Sequence, residues 1–94
     1  MAQNTATVSS VAASATTVTL FAAGSGNDAA ARAVHNDSAA VLYLKFGASA
    51  SATDFTAKIP ADGYYEVPAP VYDGLITGIW SSATGSARLT QVDA

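Results

Sequence analysis

The stretch VLYLKF, residues 41–46, decides the fold class of this chain. Its large apolar side chains Leu42, Leu44 and Phe46 stand at every second position, which is the side-chain period of a β-strand. In a strand these three residues face one side, and the residues between them face the other side. The stretch therefore predicts a strand that packs one face on a hydrophobic core.

The same period continues on both sides of this strand and is interrupted by turn residues at short intervals. Further strands are predicted at residues 16–21, 55–59, 64–67, 75–80 and 87–92. The connections contain Gly, Pro, Asn and Asp, which bend the chain for backbone reasons. Short strands at a spacing of roughly 8–12 residues are typical of antiparallel sandwiches and barrels. We therefore predict an all-β fold, a small antiparallel β-sandwich or barrel-like domain of about six to eight short strands.

Two local patterns carry more specific expectations. Phe55, Ala57 and Ile59 alternate with polar residues, so all three are expected to face the core. PADG, residues 60–63, contains turn residues and separates two alternating stretches. It is expected to join the strands on either side of it as a β-hairpin.

The chain is short enough to form a single domain. Residues 1–15 are rich in Ala, Ser and Thr and are expected to form an extended N-terminal arm, flexible or ordered on a neighbouring subunit, while residues 16–94 form a single β domain. NDAAARAV, residues 27–34, fits either a short capped helix or an extended stretch. The run is shorter than an independently stable helix, so an extended stretch at 32–36 is favoured.

Composition excludes several classes of function. The chain has no cysteine, which removes disulfides and thiolate metal sites. Its four cations are scattered and its net charge is −3, so binding to nucleic-acid phosphates is not expected. No apolar run reaches the roughly 18 residues that a membrane span needs, and no secretory signal is recognised. We expect a protein made and used without secretion, with a lean core that partner subunits help to stabilise.

HNDS, residues 35–38, contains the three side chains of a hydrolase triad. A triad requires the serine oxygen on the far nitrogen of the imidazole and an oxyanion hole nearby. Ser38 follows His35 too closely to reach around the ring, and no strained nucleophile turn is present. Asn36, Asp37 and Ser38 are instead interpreted as a turn whose side chains bond the nearby backbone. We predict no catalytic residue.

Metal and cofactor sites are not predicted either. One histidine and seven scattered carboxylates show neither paired-histidine nor EF-hand spacing, although a calcium ion shared between loops stays open. No glycine pattern fits a phosphate loop. The aromatic residues are expected in the core or in a subunit interface, with a sugar-binding face as the alternative. The candidate interface residues are Tyr43, Tyr64, Tyr65, Val71, Tyr72 and Trp80.

From Arg32 onward the chain resembles small virion proteins encoded among the structural genes of tailed phages and prophages. Three blocks carry the resemblance: NDSAAVLYLKFG (36–47), DGYYEVP (62–68) and GLITGIWSSATGSARLTQV (74–92). The last block is the most specific, because strand propensity alone does not produce Gly-Ile-Trp followed by Ala-Thr-Gly and Ala-Arg.

The resemblance implies a non-enzymatic virion component, made in the bacterial host cytoplasm, that binds the assembled capsid lattice as a decoration or cement protein. Its partners would be the major capsid protein or other virion proteins. Decoration subunits commonly lie on symmetry axes, so a homo-oligomer such as a trimer is expected. A neck, tail or head-fibre accessory protein is the alternative within the same class. A carbohydrate-binding surface module and a hydrolase that uses HNDS are the competing classes.

Overall fold

A computed structural model describes residues 5–24 and 29–93. These residues form eight strands: β1 (Thr5–Ala12), β2 (Val18–Phe21), β3 (Ala29–Asp37), β4 (Leu42–Phe46), β5 (Ala57–Ile59), β6 (Tyr64–Glu66), β7 (Ile76–Trp80) and β8 (Ser86–Asp93). Within this part of the chain no helix is long and apolar enough to cross a membrane. The all-β prediction is confirmed.

The strands form two four-stranded antiparallel sheets, as expected for a small β-sandwich. Sheet A has the order β1-β8-β3-β6, and sheet B has the order β2-β7-β4-β5. Among the described strands, only β4 and β5 are consecutive in the same sheet, where they are neighbours, so each other connection runs from one sheet to the other.

VLYLKF supplies the centre of sheet B. Leu42 and Leu44 are fully buried, and β4 pairs with β7 so that Leu42 lies opposite Trp80 and Leu44 opposite Gly78. A side chain at Gly78 would place its Cβ 2.8 Å from Leu20 Cδ1 and 2.9 Å from Leu42 Cδ1. The glycine therefore makes room for two leucines to meet across the middle of the sheet.

Three expectations about the N-terminal half have different outcomes. The extended interpretation of residues 32–36 is correct, because they lie within β3. Residues 5–12 of the predicted arm form strand β1, which pairs with β8 along its whole length. The flexibility of the arm stays a prediction. The sequence also predicts a turn at GSGND, residues 24–28, because its glycines, Asn and Asp favour a bend. Residues 25–28 of this turn lie outside the described residues.

Two local predictions are wrong. PADG forms a turn in which the Gly63 amide donates to the Pro60 carbonyl at 2.9 Å, but β5 lies in sheet B and β6 in sheet A, so the turn links the two sheets. The three-residue strand β5 begins only at Ala57. Phe55 therefore precedes the strand and lies outside the core, 39% exposed.

The prediction that Asn36, Asp37 and Ser38 form a turn is wrong about where the turn begins. His35, Asn36 and Asp37 are the last residues of β3, and the bend begins at Ser38. The strand continues this far because β8 and β6 lie on either side of it, with His35 opposite both Arg88 and Tyr64. At Asn36 and Asp37, pairing with Ala87 and Ser86 of β8 outweighs the turn preference of Asn and Asp.

Candidate interaction site

The outer face of sheet B carries a partly exposed aromatic cluster. Tyr43 on β4 points away from the core, and its ring lies 5.1 Å from the ring of Phe55 at an angle of 54°. The ammonium group of Lys58, on the neighbouring strand, lies 6.0 Å from the Tyr43 ring centroid. We call these three residues the aromatic patch. Tilted rings at this separation attract each other, and the cation favours the electron-rich ring face.

An ion pair orients the segment that brings Phe55 to the patch. Lys45 Nζ donates to Asp54 Oδ2 at 2.6 Å, and the backbones of Ser51 and Asp54 hydrogen-bond to each other in both directions. These contacts fix the loop immediately before Phe55 against β4. The exposed ring is therefore presented from a constrained position.

The outer face of sheet A carries a row of polar and aromatic side chains at one end. Tyr64, His35 and Arg88 lie opposite one another on β6, β3 and β8, so their side chains share one face. Tyr64 is 63% exposed. Arg88 Nε donates to Asp37 Oδ2 at 3.3 Å, and His35 Nε2 lies 3.1 Å from Asp62 Oδ1.

Among the described residues, one group of side chains could hold a metal ion. It consists of His35, Asp37 and Asp62, whose possible ligand atoms all lie within 4.8 Å of one another. One imidazole and two carboxylates can bind a divalent cation such as zinc. In this structure, however, the Asp37 carboxylate accepts a hydrogen bond from Arg88, and both aspartates are exposed. The Arg88 guanidinium would therefore compete with a cation for the Asp37 carboxylate.

The letters of HNDS do not come together as a triad. The Ser38 hydroxyl donates to Asn36 Oδ1 at 2.7 Å and accepts a hydrogen bond from the Ala40 amide at 3.2 Å. The carboxylate that meets His35 is that of Asp62, 27 positions further along the chain, in the turn between the two sheets. Sequence proximity therefore pointed to the wrong aspartate.

Asn36 makes the buried polar contact that joins the two sheets. Its Nδ2 donates to the carbonyls of Ala40, Ile59 and Pro60 at 2.8, 3.1 and 3.0 Å. Its Oδ1 accepts from the Trp80 indole Nε1 at 3.0 Å. Trp80, a candidate interface residue, is therefore a core residue, 2% exposed within this single chain.

The other candidate interface residues separate into two groups. Tyr65, Val71 and Tyr72 are partly buried and pack against the core, and the Tyr72 ring stacks on Phe46 with centroids 4.8 Å apart. Tyr43 and Tyr64 lie on the two outer faces of the sandwich. The interface role stays a prediction, and these two tyrosines are the members best placed to reach a partner.

Arg32 anchors the loop that contains Tyr72. Its guanidinium donates to the carbonyls of Tyr72, Gly74 and Ala22, at 2.8, 2.7 and 3.1 Å, and lies over the Phe21 ring. Desolvation lowers the pKa of Arg32, while the charge of Asp73, 3.7 Å away, opposes that shift. These contacts give the Arg32 side chain a structural role. An arginine among alanines is the one feature of the local sequence that marks this role.

No family model, curated protein or solved structure matches this chain.

Proposed function

We propose that this protein is a non-enzymatic structural component of a tailed-phage virion, which binds the assembled capsid lattice and stabilises it as a decoration or cement protein. The proposal rests on the three sequence blocks that resemble such proteins. In the fold, block 36–47 contains β4, block 62–68 contains β6, and block 74–92 contains β7 and most of β8. The resemblance thus covers strands of both sheets, not one local motif.

The aromatic patch is the structural observation that best supports the proposal. Tyr43, Phe55 and Lys58 combine exposed ring surface with one cation on the face of a sheet. Aromatic side chains contribute a large contact area with few rotatable bonds, which is why they are enriched in protein interfaces. A constrained patch on a sheet face suits a contact repeated many times on a protein lattice.

The proposed mechanism is stabilisation by mass action. A protein that binds only the assembled shell lowers the free energy of that state by RT ln(1 + [L]/Kd) at each site, about 2.7 kcal/mol when its free concentration is roughly 100 times Kd. Because the sites repeat over the shell, modest affinity at each site raises the resistance of the whole particle to heat or osmotic shock.

Quantitative mass spectrometry of purified particles tests the proposal. We expect the protein at a fixed, high ratio to the major capsid protein. Recombinant protein added to particles that lack it should bind to saturation and raise the temperature at which DNA is released. A few copies per particle would instead support a neck, tail or head-fibre accessory role. Absence from the particle would overturn both assignments.

One observation favours a second candidate, a carbohydrate-binding surface module. Tyr64 exposes most of its ring, and the carboxyl groups of Asp62 and Glu66 belong to residues two positions away on either side. A ring that stacks on a sugar, flanked by acceptors for its hydroxyls, is a common arrangement for glycan recognition. Binding on a glycan array that Tyr64→Ala abolishes would support this candidate. Wild-type binding that is no stronger than that of the Tyr64→Ala variant would rule out a carbohydrate-binding role.

A further inference from the structure

The four sheet edges of the described structure differ in how well they are protected against pairing with another strand. β5 and β6 have three residues each, with Lys58 on β5 and Glu66 followed by two prolines after β6. β2 has four residues and a register irregularity between Thr19 and Phe21. Short strands, charges, prolines and bulges are the devices that prevent association at sheet edges.

Strand β1 has none of these devices. It is the terminal strand of sheet A and has eight residues, TATVSSVA, without a charge or a proline. Nearly all of its side chains are exposed, and Val8 reaches 70% exposure. A long, uncharged, β-branched edge strand is a template for pairing with a further strand.

The hydrogen bonds of the neighbouring ladder show which backbone groups of β1 face this open edge. The Ala13 amide donates to the carbonyl of Gly85, its direct opposite in the register that pairs Ala12 with Ser86. In an antiparallel ladder the direction of the backbone groups alternates from residue to residue. The odd-numbered residues of β1 therefore bond β8, and the N–H and C=O groups of Ala6, Val8, Ser10 and Ala12 point to the open edge.

We propose that β1 pairs antiparallel with β1 of a second copy of this chain, with Val8 on the two-fold axis, so that the two A sheets become one eight-stranded sheet. This inference goes beyond the proposed function and does not depend on it. With Val8 opposite Val8, Ala6 lies opposite Ser10 of the other copy on each side. All three pairs join residues whose backbone groups point to the open edge, which gives roughly six ladder hydrogen bonds, two for each pair.

Two features favour a second copy over another protein strand. When even-numbered residues of one copy pair with even-numbered residues of the other, the backbone groups at the two open edges bond each other. The same register keeps equivalent side chains on the same face of the joined sheet, as a two-fold axis normal to the sheet requires. β1 carries no charge, so self-pairing places no like charges opposite each other. The exposed Val8 side chain would then be covered by its own symmetry mate.

Cysteine cross-linking tests the proposed register directly, because the chain has no cysteine of its own. In a hydrogen-bonded pair the two Cα atoms are about 5.5 Å apart, within the range of a disulfide. Val8→Cys should therefore form a disulfide-linked dimer under mild oxidation. Ala6→Cys is the matched control, since the two Ala6 positions would lie about 13 Å apart along the strands. Equal cross-linking of both variants, or none with Val8→Cys, would overturn the proposal.

Sedimentation equilibrium provides the second measurement. We expect the wild-type chain to show a concentration-dependent dimer of two 9.4 kDa subunits. Val8→Pro removes an amide that faces the open edge and leaves the bonds to β8 in place, so its dimer dissociation constant should rise at least tenfold. Val8→Thr keeps the amide and should dimerise like the wild type, and Trp80 fluorescence reports that each variant is folded. A trimer, a monomer at all concentrations, or an unchanged Val8→Pro dimer would contradict the two-fold contact.

Discussion

The indole N–H of Trp80 donates to the side-chain oxygen of Asn36 at 3.0 Å, and this contact links the centre of one sheet to the other. Asn36 lies on β3 in sheet A and Trp80 on β7 in sheet B, and both side chains are buried. The same amide group donates to the carbonyls of Ala40, in the connection from β3 to β4, and of Ile59, the last residue of β5. A fully satisfied buried polar network of this kind fixes how the sheets are aligned as well as stabilising their contact.

Replacing Asn36 with alanine should destabilise the fold strongly. The change leaves the Trp80 N–H and the carbonyls of Ala40, Ile59 and Pro60 without this partner in the core. An unsatisfied buried polar group costs about 1–3 kcal/mol, so we expect the free energy of unfolding to fall by about 3 kcal/mol or more. Urea denaturation followed by tryptophan fluorescence measures the change.

The neighbouring residue Asp37 supplies the control, because its side chain is exposed and its ion pair with Arg88 lies on the surface. Asp37→Ala should cost no more than about 1 kcal/mol. Trp80→Phe removes one donor, and the double variant with Asn36→Ala should cost less than the sum of the single changes. Because Trp80 is the single tryptophan of the chain, the unfolding of all four chains in this comparison is followed by circular dichroism. Strict additivity would show that the Asn36–Trp80 bond does not couple the sheets.

Arg32→Met should also destabilise the fold, because it removes a buried guanidinium that three carbonyls and Asp73 share. Loss of one partner from a buried ionic contact typically costs about 3–5 kcal/mol. Arg88→Met, on the surface of the same sheet, should cost about 1 kcal/mol or less. Thermal unfolding of the two variants under identical conditions compares them. Similar losses in both would contradict the structural role of Arg32.

The sequence predicted the strands where the pattern is periodic, and failed where tertiary contacts decide. Leu42 and Leu44 alternate with polar or half-exposed residues, so local sequence is enough to predict β4 and its buried face. β1 has small side chains on both faces, and its strand conformation comes from pairing with β8, more than 70 residues away. No local pattern could show that pairing.

The surface and core roles of polar residues were the hardest to predict. Asn36 is a residue type that favours turns, and only the position of β7 makes it a core residue. The aromatic residues are predicted to lie in the core or in a subunit interface; Trp80 lies in the core, and the interface role stays a prediction. Which side each takes depends on the register, as shown by Tyr64 on the outer face and Tyr65 beside it on the inner one.

Gly85→Ala should weaken the connection between β7 and β8. Gly85 has φ of +90°, and a Cβ there would lie 2.7 Å from the Asp37 carbonyl oxygen, a backbone atom that cannot easily move. We expect a loss of about 2 kcal/mol in the free energy of unfolding. Gly47→Ala is the control, because Gly47 also has a positive φ but an added Cβ would meet only Lys45 Cε at 3.9 Å. An equal loss in both variants would attribute the effect to backbone conformation alone.

Phe55→Ala should separate particle binding from stability. The ring is partly exposed and its main neighbour is Tyr43, so its removal should cost only about 1 kcal/mol in the free energy of unfolding. If the aromatic patch contacts the capsid, the dissociation constant for particles lacking the protein should rise at least tenfold, as measured by co-sedimentation. Tyr64→Ala, which removes an exposed ring from the opposite outer face, should bind particles like the wild type. Wild-type binding by Phe55→Ala would remove the aromatic patch from the capsid interface. A loss confined to Tyr64→Ala would assign that role to the outer face of sheet A.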